Sequence, residues 1–459
     1  MANDLPSGTD DAAIPVTCLC EGDLAAWRQS APPLDAGLAG TEFRARPGQA
    51  VIVPGPDGKP ARVLLGLGAA PGDVLSFRNL AGRLPAGTYR LEAVPGGLDP
   101  TDAAIAFALG LYRFERYRKR ESAPPQLAVP GANAGEAEAI AAACALARDL
   151  VNTPANDLGP AELETAARDL ATRFGATVDV VTGEALLSQG YPSVHAVGRA
   201  AAPGREPRMI EVTWGEPGHP VLALVGKGVV FDTGGLDLKP SAGMRLMKKD
   251  MGGAAHVLAL GALVMQARLP VRLALLIPAV ENAVGGAAMR PGDVLATRKG
   301  LSVEVGNTDA EGRLILADAL TRAGELSPDL TLDMATLTGA ARVALGPQLP
   351  PFFTDDEALA AAIEAGARKA FDPVWRLPLW KGYLPSLDSE IADLKNDPDA
   401  WAQAGAMTAA LFLQKFAPEG AWAHFDVFAW NPRSQPGSPA GGEVQAIRGL
   451  YAMLKARYA

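Results

Sequence analysis

The stretch VGNTDAEGRLILADAL, residues 305–320, sets Asp309 and Glu311 two residues apart, then Arg313, against the mouth of an apolar run with helical spacing. Two further stretches put charge where apolar runs stop: VGKGVVFDTGGLDLKP carries Lys227, Asp232 and Lys239, and LMKKDMGGAAH carries Asp250. If Asp232, Asp250, Asp309 and Glu311 meet, their charges repel and they take up protons unless a cation neutralises them. Divalent metal is the simplest solution. Two ions ~3.5–4 Å apart, bridged by carboxylates, would activate water and hold both the attacking and the leaving group of a displacement. Gly234, Gly235, Gly252 and Gly253 follow the acids directly and let the backbone come close to a ligand or turn at positive φ.

Each acid also has a plainer reading. An Asp at a strand end commonly caps a helix or sits in a solvated turn, and Glu311 in a first turn suits the helix dipole. Capping accounts for neither Arg313 nor the other acids. Competing chemistries fail on inspection. LVGKG resembles the end of a phosphate loop, but Gly228 stands where Ser or Thr belongs and Val221 where Gly belongs. No HExxH or GxSxG occurs, and His195, His219, His256 and His424 are scattered, with His256 on an Ala/Leu helix that makes it structural. Cys18 and Cys20 have no second pair with which to hold a metal and read as strand residues.

The elements that must position these residues belong to a chain of 459 residues, beyond one ordinary core. A hydrophobic fraction of 48% with 20% charged residues is globular, and a net charge of −9 opposes a role in coating nucleic acid, which needs clustered Lys and Arg. Three cysteines are too few for a disulfide framework and fit a reducing cytoplasm. The start carries acids where a signal peptide carries bases, and the longest apolar stretch, 139–147, falls far short of the ~20 residues of a membrane span. The first ten residues read as loose.

Strand-like runs AVIVPG and ARVLLGLG, then a helix from about Asp102 to Arg118, imply a smaller N-terminal α/β domain, residues 1–140. Residues 141–459 repeat a βα pattern. Strands read at PRMIEVTW, PVLALVGKGVVF, PVRLALLIPAV and DLTLDMATLTG, and helices at 161–174, 252–267 and 310–324. The expectation is an α/β fold of two domains, the larger built on a central mixed sheet covered by helices on both faces, with its site at strand ends.

Five motifs in order, RDLVNTPANDLGP, GKGVVFDTGG, KKDMGGAA, ENAVGGAAMRPGD and NTDAEGRL, resemble the leucyl aminopeptidase (cytosol aminopeptidase) family of dinuclear metallopeptidases. The resemblance runs over residues 148–455, including TLTGAARVALG, IADLKN and AHFDVFAWNP, and is loose over the N-terminal third. It implies that Lys227, Asp232, Asp250 and Glu311 hold one tightly bound metal ion, and Asp232, Asp309 and Glu311 a second. Lys239 would then polarise the scissile carbonyl, and Arg313 would hold a bicarbonate ion serving as general base. Lysine can ligate only as the neutral amine, so Lys227 would have to lose its proton to two neighbouring dications.

The resemblance further implies that Met247, Thr336, Leu337 and Gly339 line the slot for the first side chain, which would take Leu or Met. A free N-terminus, a cytoplasmic hexamer and Zn or Mn complete the expectation, although carboxylate and amine ligands also accept Co or Mg. The ending HFDVFAWNPRSQPGSPAGGEVQAIRGL departs from that of the leucine-preferring members and resembles a bacterial subgroup. Two other functions fit part of the pattern: a DNA-binding or regulatory role, disfavoured by the acidic balance, and a two-metal amidase acting on non-peptide substrates.

Overall fold

The computed structural model describes residues 13–30, 38, 41–70, 74–398 and 403–459; the first ten residues, expected to be loose, lie outside this range. Contacts divide the chain into two compact units, Met1–Ala145 with Asn431–Ala440, and Leu146–Trp430 with Gly441–Ala459. The return of 431–440 to the first unit has no counterpart in the sequence reading.

In the first unit, β1 (Ile14–Cys20), β2 (Ala50–Pro54), β3 (Pro60–Gly68), β4 (Thr88–Leu91) and β5 (Gln126–Ala128) form one sheet in the order β2-β3-β1-β4-β5. Val16, Val63 and Leu65 share its core with Phe77, Leu80 and Phe107 from the helices Leu75–Ala81 and Pro100–Gly110. Cys18 and Cys20 are strand residues with free thiols. The helix expected to reach Arg118 begins as its sequence dictates, with Asp99 accepting from the Thr101 amide at 2.7 Å ahead of Pro100, but it stops at Gly110. Beyond that point the helical spacing finds no core, and Tyr117 is 56% exposed. Spacing without a packed face does not sustain a helix.

The second unit contains β6 (Thr177–Thr182), β7 (Arg208–Trp214), β8 (Val221–Gly226), β9 (Gly228–Asp232), β10 (Arg272–Asn282), β11 (Val294–Ala296), β12 (Ser302–Glu304), β13 (Leu330–Ala335), β14 (Pro351–Phe353), β15 (Trp375–Arg376), β16 (Leu394–Lys395) and β17 (Trp422–Asp426). Its main sheet runs β15-β14-β17-β13-β8-β10-β7-β6, with β9 added to β10. The centre, β17-β13-β8-β10, is parallel, while the pairs β10-β7, β7-β6 and β17-β14 are antiparallel, so the sheet is mixed.

Helices cover both faces, as successive strand residues show. Leu276 packs with Leu314 and Ile315 of the helix Glu311–Gly324. Its neighbour Leu275 lies against Gly261 of the helix Gly252–Gln266, where a Cβ would meet its methyls at 2.9 Å. The apolar run expected as one strand, PVLALVGKGVVF, is broken at Lys227 into β8 and β9.

The start of the helix Gly252–Gln266 lies directly on the end of β13. A Cβ on Gly253 would come within 2.0 Å of the Met334 carbonyl oxygen and 2.8 Å of the Lys227 amide nitrogen. Both are backbone atoms. Gly253→Ala is therefore expected to destabilise the protein by about 1–3 kcal/mol, the usual cost of overpacking, although Ala is the better helix former by ~1 kcal/mol. The urea unfolding midpoint measures this; an unchanged or raised midpoint would show that the helix can slide off the strand.

Candidate metal centre

The four acids, Asp232, Asp250, Asp309 and Glu311, and the two lysines, Lys227 and Lys239, converge at the carboxyl ends of the parallel strands, the usual place for a site in such a sheet. Lys227 occupies the break between β8 and β9. Asp232 ends β9 and stands opposite Asn282, the last residue of β10. Asp250 follows the short 3-10 turn Met247–Lys249 and precedes the helix Gly252–Gln266. Glu311 opens the helix Glu311–Gly324.

Asp232, Asp309 and Glu311 each offer one oxygen, and these oxygens lie within 4.8 Å of one another. Asp250 stands beside this trio, with the Lys227 ammonium between it and Glu311: Nζ lies 2.8 Å from Asp250 Oδ2 and 2.9 Å from Glu311 Oε1, and donates to the Thr336 carbonyl at 3.1 Å. Lys239 joins the other side, 2.8 Å from Asp232 Oδ2 and in close contact with Asp309 Oδ1. Asp309 does not cap the helix, whose N-terminal flank has no side-chain cap bond.

Glycine makes this crowding possible. Gly312 faces Lys227, and a Cβ there would meet Nζ at 2.6 Å. Gly234, at φ +90°, lets its loop turn beneath Asp309, where a Cβ would lie 3.0 Å from Oδ1.

Electrostatics identify what the cluster lacks. Burial, together with Asp232, pushes Glu311 up to about 8 against the opposing pull of Lys227. Burial and Asp232 likewise raise Asp309 to about 6. Burial opposes the charge on Lys227, but Asp250, Glu311 and Asp232 outweigh it and hold the amine above the usual lysine range. Lys239 is raised in the same way against burial, chiefly by Asp232. Glu311 Oε2 is buried without any hydrogen-bond donor. Buried acids that repel, with carboxylate oxygens left without a donor among the described residues, fit divalent cations by chemistry and by spacing. Only such competing charge would let Lys227 shed its proton.

Arg313 is buried, which lowers its pKa; its Nη1 donates to the Asn396 carbonyl at 2.6 Å, and its Nε has no partner among the described residues. Thr336 donates to Asp250 Oδ1 at 2.8 Å, Met247 and Leu337 are half-buried, and Gly339 faces open space where a Cβ would stand. His256 is structural: its Nδ1 meets the Gly252 carbonyl at 2.6 Å and its Nε2 accepts from the Gln445 amide at 3.0 Å.

Sequence reasoning assigned no role to the residues that hold these groups in place. Asn282 donates to Asp232 Oδ1 at 2.8 Å and to the Thr308 carbonyl at 3.1 Å. Asn396 fastens the loop before Asp309, accepting from the Gly306 and Asn307 amides and donating to the carbonyls of Asn307 and Ala310. Asp426 accepts from the Leu337 and Thr338 amides and from the Thr338 hydroxyl, fixing the turn after β13. Their signal lay in quoted motifs, ENAVGG, IADLKN and HFDVFAWNP, but nothing in a side-chain amide or a lone Asp announces a supporting bond.

Residues 145–451 match the family model of the catalytic domain of the cytosol aminopeptidase family, and residues 14–130 match that of the M17 aminopeptidase N-terminal domain. The loose N-terminal resemblance is thus a family domain as well. The chain is 42% identical over 429 residues to a probable cytosol aminopeptidase of Syntrophotalea carbinolica, covering 86% of each, and 40% identical over 431 residues to one of Nocardia farcinica, covering 88% of this chain and 84% of that one. Among solved structures, the cytosol aminopeptidase from Coxiella burnetii superposes with a TM-score of 0.93 at 43% identity, covering 98% of this chain and 99% of that one. The bottromycin maturation enzyme BotP in complex with Mn gives 0.87 at 37% identity, covering 97% and 99%.

The raised acids give a pH signature. Glu311, at about 8 when folded, lies above its unfolded value of ~4.3, so the folded state holds the proton more tightly. Stability is then greatest below the unfolded value and is lost as pH rises toward 8. For chelated protein, the unfolding midpoint is expected to fall between pH 5 and pH 8, more steeply than in Glu311→Gln. Added Mn should raise it more at pH 8 than at pH 5. Equal slopes in the two proteins would mean that Glu311 ionises normally.

Proposed function

The chain belongs to the cytosol aminopeptidase family, and from that premise we propose that it releases N-terminal amino acids, Leu or Met preferred, from peptides with a free amino terminus. The observation that supports this most is the meeting of buried acids at one strand-end site, with Asp232, Asp309 and Glu311 at ligand spacing and Asp250 joined to Glu311 through Lys227. Lys227, Asp232, Asp250 and Glu311 are assigned to one divalent ion, and Asp232, Asp309 and Glu311 to the other. Zn or Mn is the expected metal. When bound, the two ions supply Lewis acidity to water and to the scissile carbonyl and a position for an uncharged terminal amine, and bicarbonate supplies a general base.

The side chains do the rest. Lys239 is the more open of the two site lysines, its side chain 15% exposed against 4% for Lys227. It keeps its proton and is placed to donate to the oxyanion that develops as the peptide bond is attacked. Arg313 is anchored through Nη1, which leaves Nε to hold the small anion. Met247, Thr336, Leu337 and Gly339 form the first-residue slot, with the open space at Gly339 giving room for an unbranched or γ-branched side chain. The working form is a cytoplasmic hexamer; among the described residues no helix is long and apolar enough to cross a membrane.

A panel of aminoacyl p-nitroanilides and dipeptides tests this after chelation and again after Mn or Zn is restored. Activity should return with metal, on Leu and Met above all, and N-acetylated copies should stay intact. Cleavage of the acetylated copies would instead indicate an amidase, and metal binding without any cleavage a regulatory protein. Glu311→Ala is expected to lower kcat/KM by more than about 100-fold, beyond the loss typical of outer supporting residues; retained turnover would remove Glu311 from the machinery. Sedimentation should give six times the chain mass, and a monomer would overturn the assembly.

A further inference from the structure

Lys249 has a place in the site but no assigned task. It closes the turn Met247–Lys249 directly before Asp250 and is only 6% exposed. Among the described residues its ammonium makes no ion pair and no hydrogen bond. Its close neighbour is the ring of Phe428, with the centroid 5.0 Å from Nζ. The nearby acids are engaged elsewhere, Asp250 by Lys227 and Thr336, and Asp426 by Leu337 and Thr338. Lys248, one residue earlier, donates to the Asn152 carbonyl at 2.6 Å.

A buried charge without a counter-charge is unfavourable, and a ring face recovers only part of the loss. Methionine would fill similar volume against Phe428 without that loss. The same ring carries a second cation, the guanidinium of Arg342, 5.2 Å from its centroid, exposed and likewise without an ion pair among the described residues. Phe428 and Arg342 line a surface cleft together with Thr338 and Asp426, next to the turn that holds Leu337 and Gly339. Two cations at one aromatic ring, neither in an ion pair among the described residues and both close to the Leu337–Gly339 turn, call for an anion from outside the chain.

We propose that Lys249 is a specificity-determining residue that binds a carboxylate of the substrate. The proposal rests on the aminopeptidase reading, since it places Lys249 beside the first-residue slot, on the same turn as Met247. Two sources supply that chemistry. One is the side chain of a first-residue Glu, whose methylenes suit the wall that takes Leu or Met. The other is the terminal carboxylate of a dipeptide.

Two substrate pairs on the Mn-loaded full chain separate the sources and test the proposal: Glu against Gln p-nitroanilide, and Leu-Gly against Leu-Gly amide. Within a pair, general damage to the fold cancels. In K249M the charged-to-neutral ratio of kcat/KM should fall roughly tenfold or more in one pair, the scale of a lost charged hydrogen bond, and K249R should recover much of it. A fall confined to the first pair assigns the side chain, and one confined to the second assigns the terminus. Both ratios unmoved, with the wild type active on the neutral substrates, would overturn the Lys249 proposal alone. A wild type that cleaves no member of either pair overturns the aminopeptidase reading and takes this proposal with it.

Discussion

Negative charge confined in a dry place is the constraint on which the rest of this structure depends. Asp232, Asp250 and Glu311 are almost fully buried, and Asp309 stands with them. Unneutralised, such a group would protonate or push itself apart. Lys227 and Lys239 are threaded between the acids for this reason, and each is held charged by them against the pull of burial. Even so, Glu311 is driven up to about 8. The cluster as built still lacks positive charge, which is the physical content of calling it a metal centre.

Holding such a cluster together requires a frame stiffer than the repulsion. The parallel strands β8 and β13 end side by side while β10 continues along β9 to Asn282, and each end delivers a different piece: the Lys227 break, the Thr336 turn, and the Asp232–Asn282 pair. Buried amides then tie down the loops that strands cannot reach. Asn282 links Asp232 to the Thr308 carbonyl, and Asn396 ties the 306–310 loop to the strand residues before it. Glycines at 253 and 312 remove the side chains that would hold the helices away. The frame is specific to the cluster, and the cluster gives these otherwise awkward glycines and buried amides their reason.

Much of this was legible in the sequence because period and chemistry coincide there. The runs around β7, β8, β10 and β13 are apolar and β-branched, and the acids fall where those runs end. The motifs around Asp232, Asp250 and Glu311 held the acids that the structure gathers. What remained hidden depends on three-dimensional packing. The helix at Pro100–Gly110 keeps its helical spacing past its real end because spacing does not report whether a core awaits. Asn282, Asn396 and Asp426 act through hydrogen bonds to residues 26–90 positions away in sequence, which no local pattern encodes. Nothing in the sequence distinguishes Lys249 from Lys248; its burial against Phe428 does.

The same charge balance sets what the cleft welcomes. In the chain itself, the four acids face four cations, Lys227, Lys239, Lys249 and Arg313. These charges balance, so two divalent ions would leave the cleft positive even after Lys227 gave up its proton. On the proposed function, a site of that sign would favour anions: the developing oxyanion, a small anion at Arg313, and a carboxylate at Lys249. It would correspondingly disfavour a charged terminal ammonium, so the amino terminus would enter as the free base. Chemistry and selectivity then share one source, because the charge that activates the peptide bond also decides which end of a peptide, and which side chains, can lie beside it.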